Sequence, residues 1–393
     1  MTNVKNLFSK NAMLVILILT MLFFQALLGV YGKGSLFSPQ NLSNLIAQNA
    51  YVVILATGML LCILTGGNID LAVGSTVILI GALAGVFIVR WGINPYLSMA
   101  MCLVLAAGIG AWQAFWIAYI KIPPFIVTLA GMLTFRGLAL IVLGSQSISP
   151  FPASFKAVFN NFIPSSWISG NPGAVLTVSV VIAAVICAAM VAFEAMSRVG
   201  KQRKGYAVDN PIWPTLRIAV VGAAILFVCR QLGLHNGIPV ILVLLGVIVV
   251  AYSYFTQNTI YGRYLYAMGG NEKAARLSGV NTKRMMFFAY TNMGFLAGVA
   301  ALVCVARFNQ ASTQAGTGYE LDAIGACYIG GASAYGGVGK VGGAVVGAIF
   351  IGVLNMGMSL LGADQNLQRV IKGMVLLLAV VFDILSKNRK QAA

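Results

Sequence analysis

The chain has 393 residues, 60% of them hydrophobic and only 8% charged, and its 25 Lys and Arg against 8 Asp and Glu give a formal net charge of +17. With a mean hydropathy of +0.91, this composition excludes a soluble domain and defines a polytopic membrane protein. The basic excess does not mark a nucleic-acid binder, because the positive residues sort by loop, as the positive-inside rule requires of a membrane protein.

Lys5 and Lys10 precede the first apolar run, 12–31. It has no small-residue cleavage site and the next run follows closely, so it is expected to be a retained helix and not a removed signal peptide. Runs at 43–65, 71–89, 97–119 and 124–144 follow, each long enough to cross a hydrocarbon core of about 30 Å. Residues 145–172 carry Pro150, Pro152, Pro164, Pro172 and Trp167 and read as an ordered periplasmic loop with an interfacial aromatic. Runs at 173–195 and 216–234 flank a loop with Arg198, Lys201, Arg203 and Lys204. The stretch 173–234 reads as a two-span insertion that serves packing and not a pathway. Further runs lie at 238–256, 285–306, 341–361 and 369–385, and a Gly-rich stretch, 323–339, is a further crossing or a broken helix.

If the spans alternate, Lys5, Lys10, Lys121, the 198–204 cluster, Arg263 to Arg284, and Lys387, Arg389 and Lys390 share one side. That side is the cytoplasm, and both termini lie there. The number of crossings is then even, and 323–339 supplies the one that the eleven long runs lack. The predicted fold is all-α, a single transmembrane domain over 1–393 of about 11 to 12 spans with Gly-rich broken helices.

The loop 257–284 contains YGRYLYAMGGNEKAARLSGVNTKR (261–284). Asn271 suits an N-cap, Glu272 the positive helix start, Ala274, Ala275 and Leu277 favour helix, and Gly279 ends it. The expected helix has about two turns and is roughly 10 Å long. One so short does not persist alone in water, so either the protein's own body packs against it or a partner receives it.

Only eight carboxylates occur: Asp70, Glu194, Asp209, Glu272, Glu320, Asp322, Asp364 and Asp383. Nearly all fall at predicted span ends, which counts against a carrier driven by an ion gradient, since a coupling ion needs a partner charge at membrane depth. Arg136 either snorkels to the interface or contacts a helix, with a transport role as the alternative. Asp70 either caps the following helix or lines a site at the break between Gly66 and Gly74. Asn68, Asn292 and Asn355 are neutral donors and acceptors suited to brief contact with hydroxyl groups, and interhelical hydrogen bonds explain them equally well. A second pairing of alternatives concerns the Gly-rich segments 66–74 and 330–338, which are either a repeat of two parallel halves or a chance likeness.

The run Gly336, Gly337, Val338, Gly339, Lys340, Val341 lacks the first Gly and the Ser or Thr of a phosphate-binding loop. His235 has no acid or nucleophile nearby in sequence, so no enzyme is indicated. The six cysteines fall within predicted spans without the paired spacing of a metal site and read as packed thiols.

Five segments together resemble the membrane permeases of bacterial ATP-driven (ABC) monosaccharide importers, the ribose, xylose, arabinose and galactose group, nearly end to end. They are NLSNLIAQNA (41–50), ILTGGNIDLAVGS (63–75), IPPFIVTLAGMLTFRG (122–137), GRYLYAMGGNEKAARLSGVN (262–281) and TGYELDAIGACYIGGASAYGGVGKVGGAVVGA (317–348). The chain's length is similar to that of the xylose-type and multiple-sugar permeases. The resemblance implies an inner-membrane homodimer, a cytoplasmic ATP-binding subunit that alone holds ATP, and a periplasmic sugar-binding protein, with membrane lipid around them. It makes 271–279 a coupling helix, carried by Asn271, Glu272, Ala274, Ala275, Arg276, Leu277, Ser278 and Gly279. Asn68, Asp70, Asn292 and Asn355 are the candidate pathway residues. An ATP-driven importer of another small solute, such as an amino acid or a furanone, and an ion-coupled carrier are the alternatives.

Overall fold

Long apolar runs bounded by Pro and Gly form the helices of a computed structural model that describes residues 12–144, 146–164, 172–203 and 212–391. Lys5, Lys10, Trp167, Lys204 and Asp209 lie outside the described residues. In chain order the helices are α1 (Ala12–Val30), α2 (Pro39–Leu64), α3 (Val73–Gly85, continued by a π-helical turn Val86–Arg90), α4 (Pro95–Ala118), α5 (Pro124–Leu143) and α6 (Ala153–Asn160). Next come α7 (Pro172–Arg203), α8 (Ile212–His235), α9 (Val240–Asn258), α10 (Ile260–Gly270), α11 (Glu272–Leu277) and α12 (Thr282–Phe308). The last are α13 (Tyr319–Ile329), α14 (Val341–Leu361) and α15 (Gln365–Gln391), and two short strands are β1 (Phe162–Pro164) and β2 (Gly237–Pro239). Helix ends follow local chemistry. Asn94 accepts from Tyr96 N and Pro95 opens α4, while Gly144 and Gly362, both left-handed, close α5 and α14.

Among the described residues, 10 helices are long and apolar enough to cross a membrane: α1 to α5, α7 to α9, α12 and α14. They coincide with ten of the expected runs. The other, 369–385, lies within α15. The stretch 323–339 is a broken helix. α13 has 11 residues, about 16 Å of rise, and the chain then leaves helix through left-handed Gly331, Gly336 and Gly337 before α14 begins.

The chain divides into two compact units. In the larger, Met1–Lys33, Leu45–Asn160 and Ile241–Ala393, α12 lies along α4 with the backbones nearly touching. A Cβ placed on Gly110 would come 2.6 Å from the Tyr290 carbonyl oxygen, and one on Gly294 2.6 Å from Gly110 Cα. Small residues allow this approach, which is how helices associate where lipid removes the hydrophobic drive. α13 and α14 cross in the same way through Gly330, Gly343, Gly347 and Ala326. The smaller unit, Gly34–Asn44 and Asn161–Val240, holds the α7–α8 pair and an antiparallel ribbon in which Phe162 faces Pro239. Gly233 of α8 meets Leu176 of α7 closely.

Candidate functional site

The two Gly-rich breaks likened in the sequence meet in the larger unit. The first, residues 65–72, joins α2 to α3, and the second, residues 330–340, joins α13 to α14. Gly67, at φ +75°, lies against the Ala334 carbonyl, and a Cβ on Gly336, at φ +83°, would come 2.6 Å from Gly67 N. Gly337 N donates to the Leu64 carbonyl at the end of α2, at 3.2 Å. Only glycine permits both the left-handed backbone and this approach. The C-terminal end of α10 closes the junction: a Cβ on Gly337 would lie 2.8 Å from Gly270 N, and Gly269 lies against Gly337 N and Leu64 O. Tyr266 of α10 donates to the Gly339 carbonyl at 2.8 Å. Burial pushes its phenol above the ordinary value, so it remains a neutral donor.

Asp70 is 3% exposed and accepts from Ala72 N at 2.8 Å, a local turn just ahead of α3; the N-cap residue is Ala72, which carries no side-chain cap bond, so Asp70 leads into the helix without capping it. Asn68 is half-buried and donates to Thr65 Oγ1 at 3.1 Å, with Met286 Sδ at 3.8 Å. Tyr290 donates to the Ile69 carbonyl at 3.3 Å, tying α12 to the break. Asn292 turns elsewhere: its Oδ1 accepts from the Tyr252 hydroxyl on α9, and its buried Nδ2 has no partner among the described residues. Asn355, on α14, leaves Oδ1 buried without a partner among the described residues. The structure thus brings Asn68 and Asp70 into one break and gives Asn292 and Asn355 no shared hydrogen bond with it. Gln113 of α4, which sequence reasoning passed over, is 1% exposed, and its Nε2 has no partner among the described residues. A Cβ on Gly131 would approach that nitrogen to 2.6 Å and Ala72 Cβ to 3.3 Å, which places Gln113 beside the start of α3. A lone Gln in an apolar run was the available signal.

The Arg136 guanidinium donates to Thr317 Oγ1 at 2.8 Å, a contact within the protein. Asp322 lies at a helix end, in the first turn of α13, and is 3% exposed there. Lys372 of α15 approaches Asp322 Oδ1 at 3.0 Å, the Tyr51 hydroxyl donates to Oδ2 at 2.7 Å, and Tyr319 stacks on Tyr51 with ring centroids 3.8 Å apart. The pair is fully engaged by its neighbours and belongs to the protein's own framework.

The 261–284 loop forms the short helix its sequence predicts. α11 has 6 residues. Asn271 Oδ1 caps it by accepting from Ala274 N at 3.0 Å, and left-handed Gly279 (φ +87°) follows its end, with Gly279 N on the Arg276 carbonyl at 3.1 Å. The two fates foreseen for so short a helix are divided between its faces: Ala275 is 5% exposed, whereas Leu277 is 89% exposed. An apolar side chain held outward on a capped turn is suited to entering a groove on another protein.

Ten helices apolar enough to cross a membrane, two glycine-rich breaks that meet each other and a capped turn with Leu277 exposed fit a membrane permease. The chain belongs to the family described as branched-chain amino acid transport system / permease component, whose model matches residues 41–380. Among curated relatives it is 36% identical over 356 residues to the xylose transport system permease protein of Escherichia coli (strain K12), covering 91% of this chain and 88% of the relative. It is 34% identical over 381 residues to the protein of the same description from Haemophilus influenzae, covering 97% and 98%. The ribose import permease protein of Escherichia coli (strain K12) is 33% identical over 356 residues, covering 90% and 88%. No solved structure matches the chain significantly.

Proposed function

We propose that this chain is the membrane subunit of an ATP-driven importer that carries a monosaccharide, a pentose or hexose, from the periplasm to the cytoplasm. The observation that carries this reading is similarity over most of both chains to xylose and ribose permeases. The geometry agrees with it: the Asn68 amide and the Thr65 hydroxyl at the break suit a sugar, and the Asp70 carboxylate beside them is engaged by Ala72 N. In this reading two copies form the pathway, a cytoplasmic ATPase receives α11 and alone binds ATP, and a periplasmic protein delivers the sugar. The chain sits in the bacterial inner membrane with both termini in the cytoplasm, and Arg276, Lys283 and Arg284 face the ATPase.

Uptake of labelled xylose, ribose, arabinose, galactose, glucose and leucine, with and without this gene and with ATP depleted while ion gradients are held, tests the reading. ATP-dependent loss of one or several sugars is the expected result. Loss confined to leucine, which the family's description makes the natural competitor, would overturn the sugar assignment, and uptake that survives ATP depletion would overturn the engine.

Leu277→Asp is the sharper probe of coupling, since Ala275 is buried against the chain itself and its replacement would disturb local packing. Uptake is expected to fall by roughly tenfold or more, the scale of a central interface residue, with the permease still in the membrane. Wild-type uptake by Leu277→Asp would remove α11 from the coupling role.

A further inference from the structure

We propose that the stroke of the ATPase reaches both broken helices through the C-terminal end of α10, with Tyr266 and Gly269 as the positioning residues of that junction. The inference rests on the importer reading and adds the route by which movement leaves the coupling helix.

The first observation is the joint between α10 and α11. A single residue, Asn271, separates them: its backbone N donates to the Ala267 carbonyl of α10 at 3.0 Å, while its side chain caps α11 at 3.0 Å. A residue bonded into both helices leaves little slack, so a displacement of α11 is passed to α10. The second is what α10 touches. Gly269 lies against the last carbonyl of α2 and the backbone N of Gly337 at once, and Gly337 N is itself bonded to that Leu64 carbonyl. One point on α10 therefore contacts the place where α2 ends and the segment that leads into α14. The third is the Tyr266 hydroxyl on the Gly339 carbonyl at 2.8 Å, two residues before α14 begins at Val341. Backbone packed on backbone is stiff, since no rotamer change can absorb a shift. With Gly67 against Ala334 and Gly336 against Gly66, the two breaks move as one body, and α3 and α14 leave from its two sides.

The alternative route is α12, which follows α11 after four residues, 278–281. That connection is itself bonded, with Val280 N on the Ala275 carbonyl at 3.1 Å and Asn281 Oδ1 accepting from Arg284 N at 3.0 Å, and α12 reaches the first break through Tyr290 on the Ile69 carbonyl. What sets α10 apart is that its end touches both breaks at once, through Gly269 and Tyr266.

The test uses the whole transport system, with labelled xylose as the probe and affinity-purified permease for ATPase retention. Tyr266→Phe keeps the ring and removes only the bond to Gly339, and Tyr254→Phe, on an exposed tyrosine of α9, serves as the control. The ATPase is expected to remain bound to Tyr266→Phe at wild-type stoichiometry, while xylose moved per ATP hydrolysed falls roughly two- to tenfold, the factor one neutral hydrogen bond represents. Gly269→Ala, which forces the junction apart, is expected to fall further at the same ATPase retention. A fall in the ratio with the ATPase retained is a signature that general destabilisation does not produce, because lost permease lowers transport and hydrolysis together. A wild-type ratio in Tyr266→Phe overturns the proposal, even if Gly269→Ala fails to reach the membrane. Failure of the unaltered permease to retain any ATPase would instead bring down the importer reading beneath it.

Discussion

Lys372→Met is expected to lower the stability of the permease by about 3 kcal/mol, because removing one partner of a buried ion pair leaves the other charge uncompensated. Asp322 would remain at 4% side-chain exposure with the Tyr51 hydroxyl as its main donor. Lys372→Met combined with Asp322→Asn removes both charges together, and about half or more of the loss should return, as replacement of whole buried pairs by neutral groups does elsewhere. The measurement is thermal unfolding of the detergent-solubilised protein for the single and double variants, alongside uptake in cells. A single variant that unfolds at the wild-type temperature would show that the pair does not hold α15 to α13. The same experiment addresses mechanism. If a charge at this depth served ion coupling, the double variant would stay inactive after its stability returned; as a framework contact, it regains transport.

That pair marks where reading the sequence stopped short. Asp322 is legible as a helix-end carboxylate, and it lies in the first turn of α13, but its partner is not legible, because Lys372 sits in a run recognised by hydropathy alone. Burial of a charge depends on which helices lie opposite, and single-helix patterns carry no such information. Elements set by local chemistry were legible. The apolar runs, the cap at Asn271 and the stop at Gly279 all follow from residues within a few positions of one another. The likeness of segments 66–74 and 330–338 was visible, and their contact was not, since nothing in either segment says that Gly67 meets Ala334. Leu277 shows the same limit: the sequence gives a helix former at that position, and only the fold reveals that it points outward while Ala275 points in.

Gly74→Val is expected to abolish uptake, with a cost of about 3 kcal/mol or more, because the position admits no side chain from either direction. Gly74, in the first turn of α3, and Gly316, in the connection before α13, face each other so closely that a Cβ on either would overlap the other's carbonyl oxygen, and the Glu320 carboxylate closes the remaining side of Gly74. The obstacle between the two glycines is backbone, which cannot rotate away, whereas the Glu320 carboxylate is the end of a side chain. Gly316 also holds φ at +79°, so Gly316→Ala carries conformational strain on top of the overlap. Gly342→Ala and Gly373→Ala provide the contrast, since a Cβ at either meets nothing within 4 Å, and both should transport as the wild type does. Quantifying membrane-inserted protein for each variant separates loss of fold from loss of movement. If Gly74→Val supports normal uptake, the approach of α3 to the segment before α13 does not constrain the transporting protein. If instead it is inserted and inactive, then this contact, which joins the helix after the first break to the connection leading into α13, is needed in the transport cycle and not only for assembly.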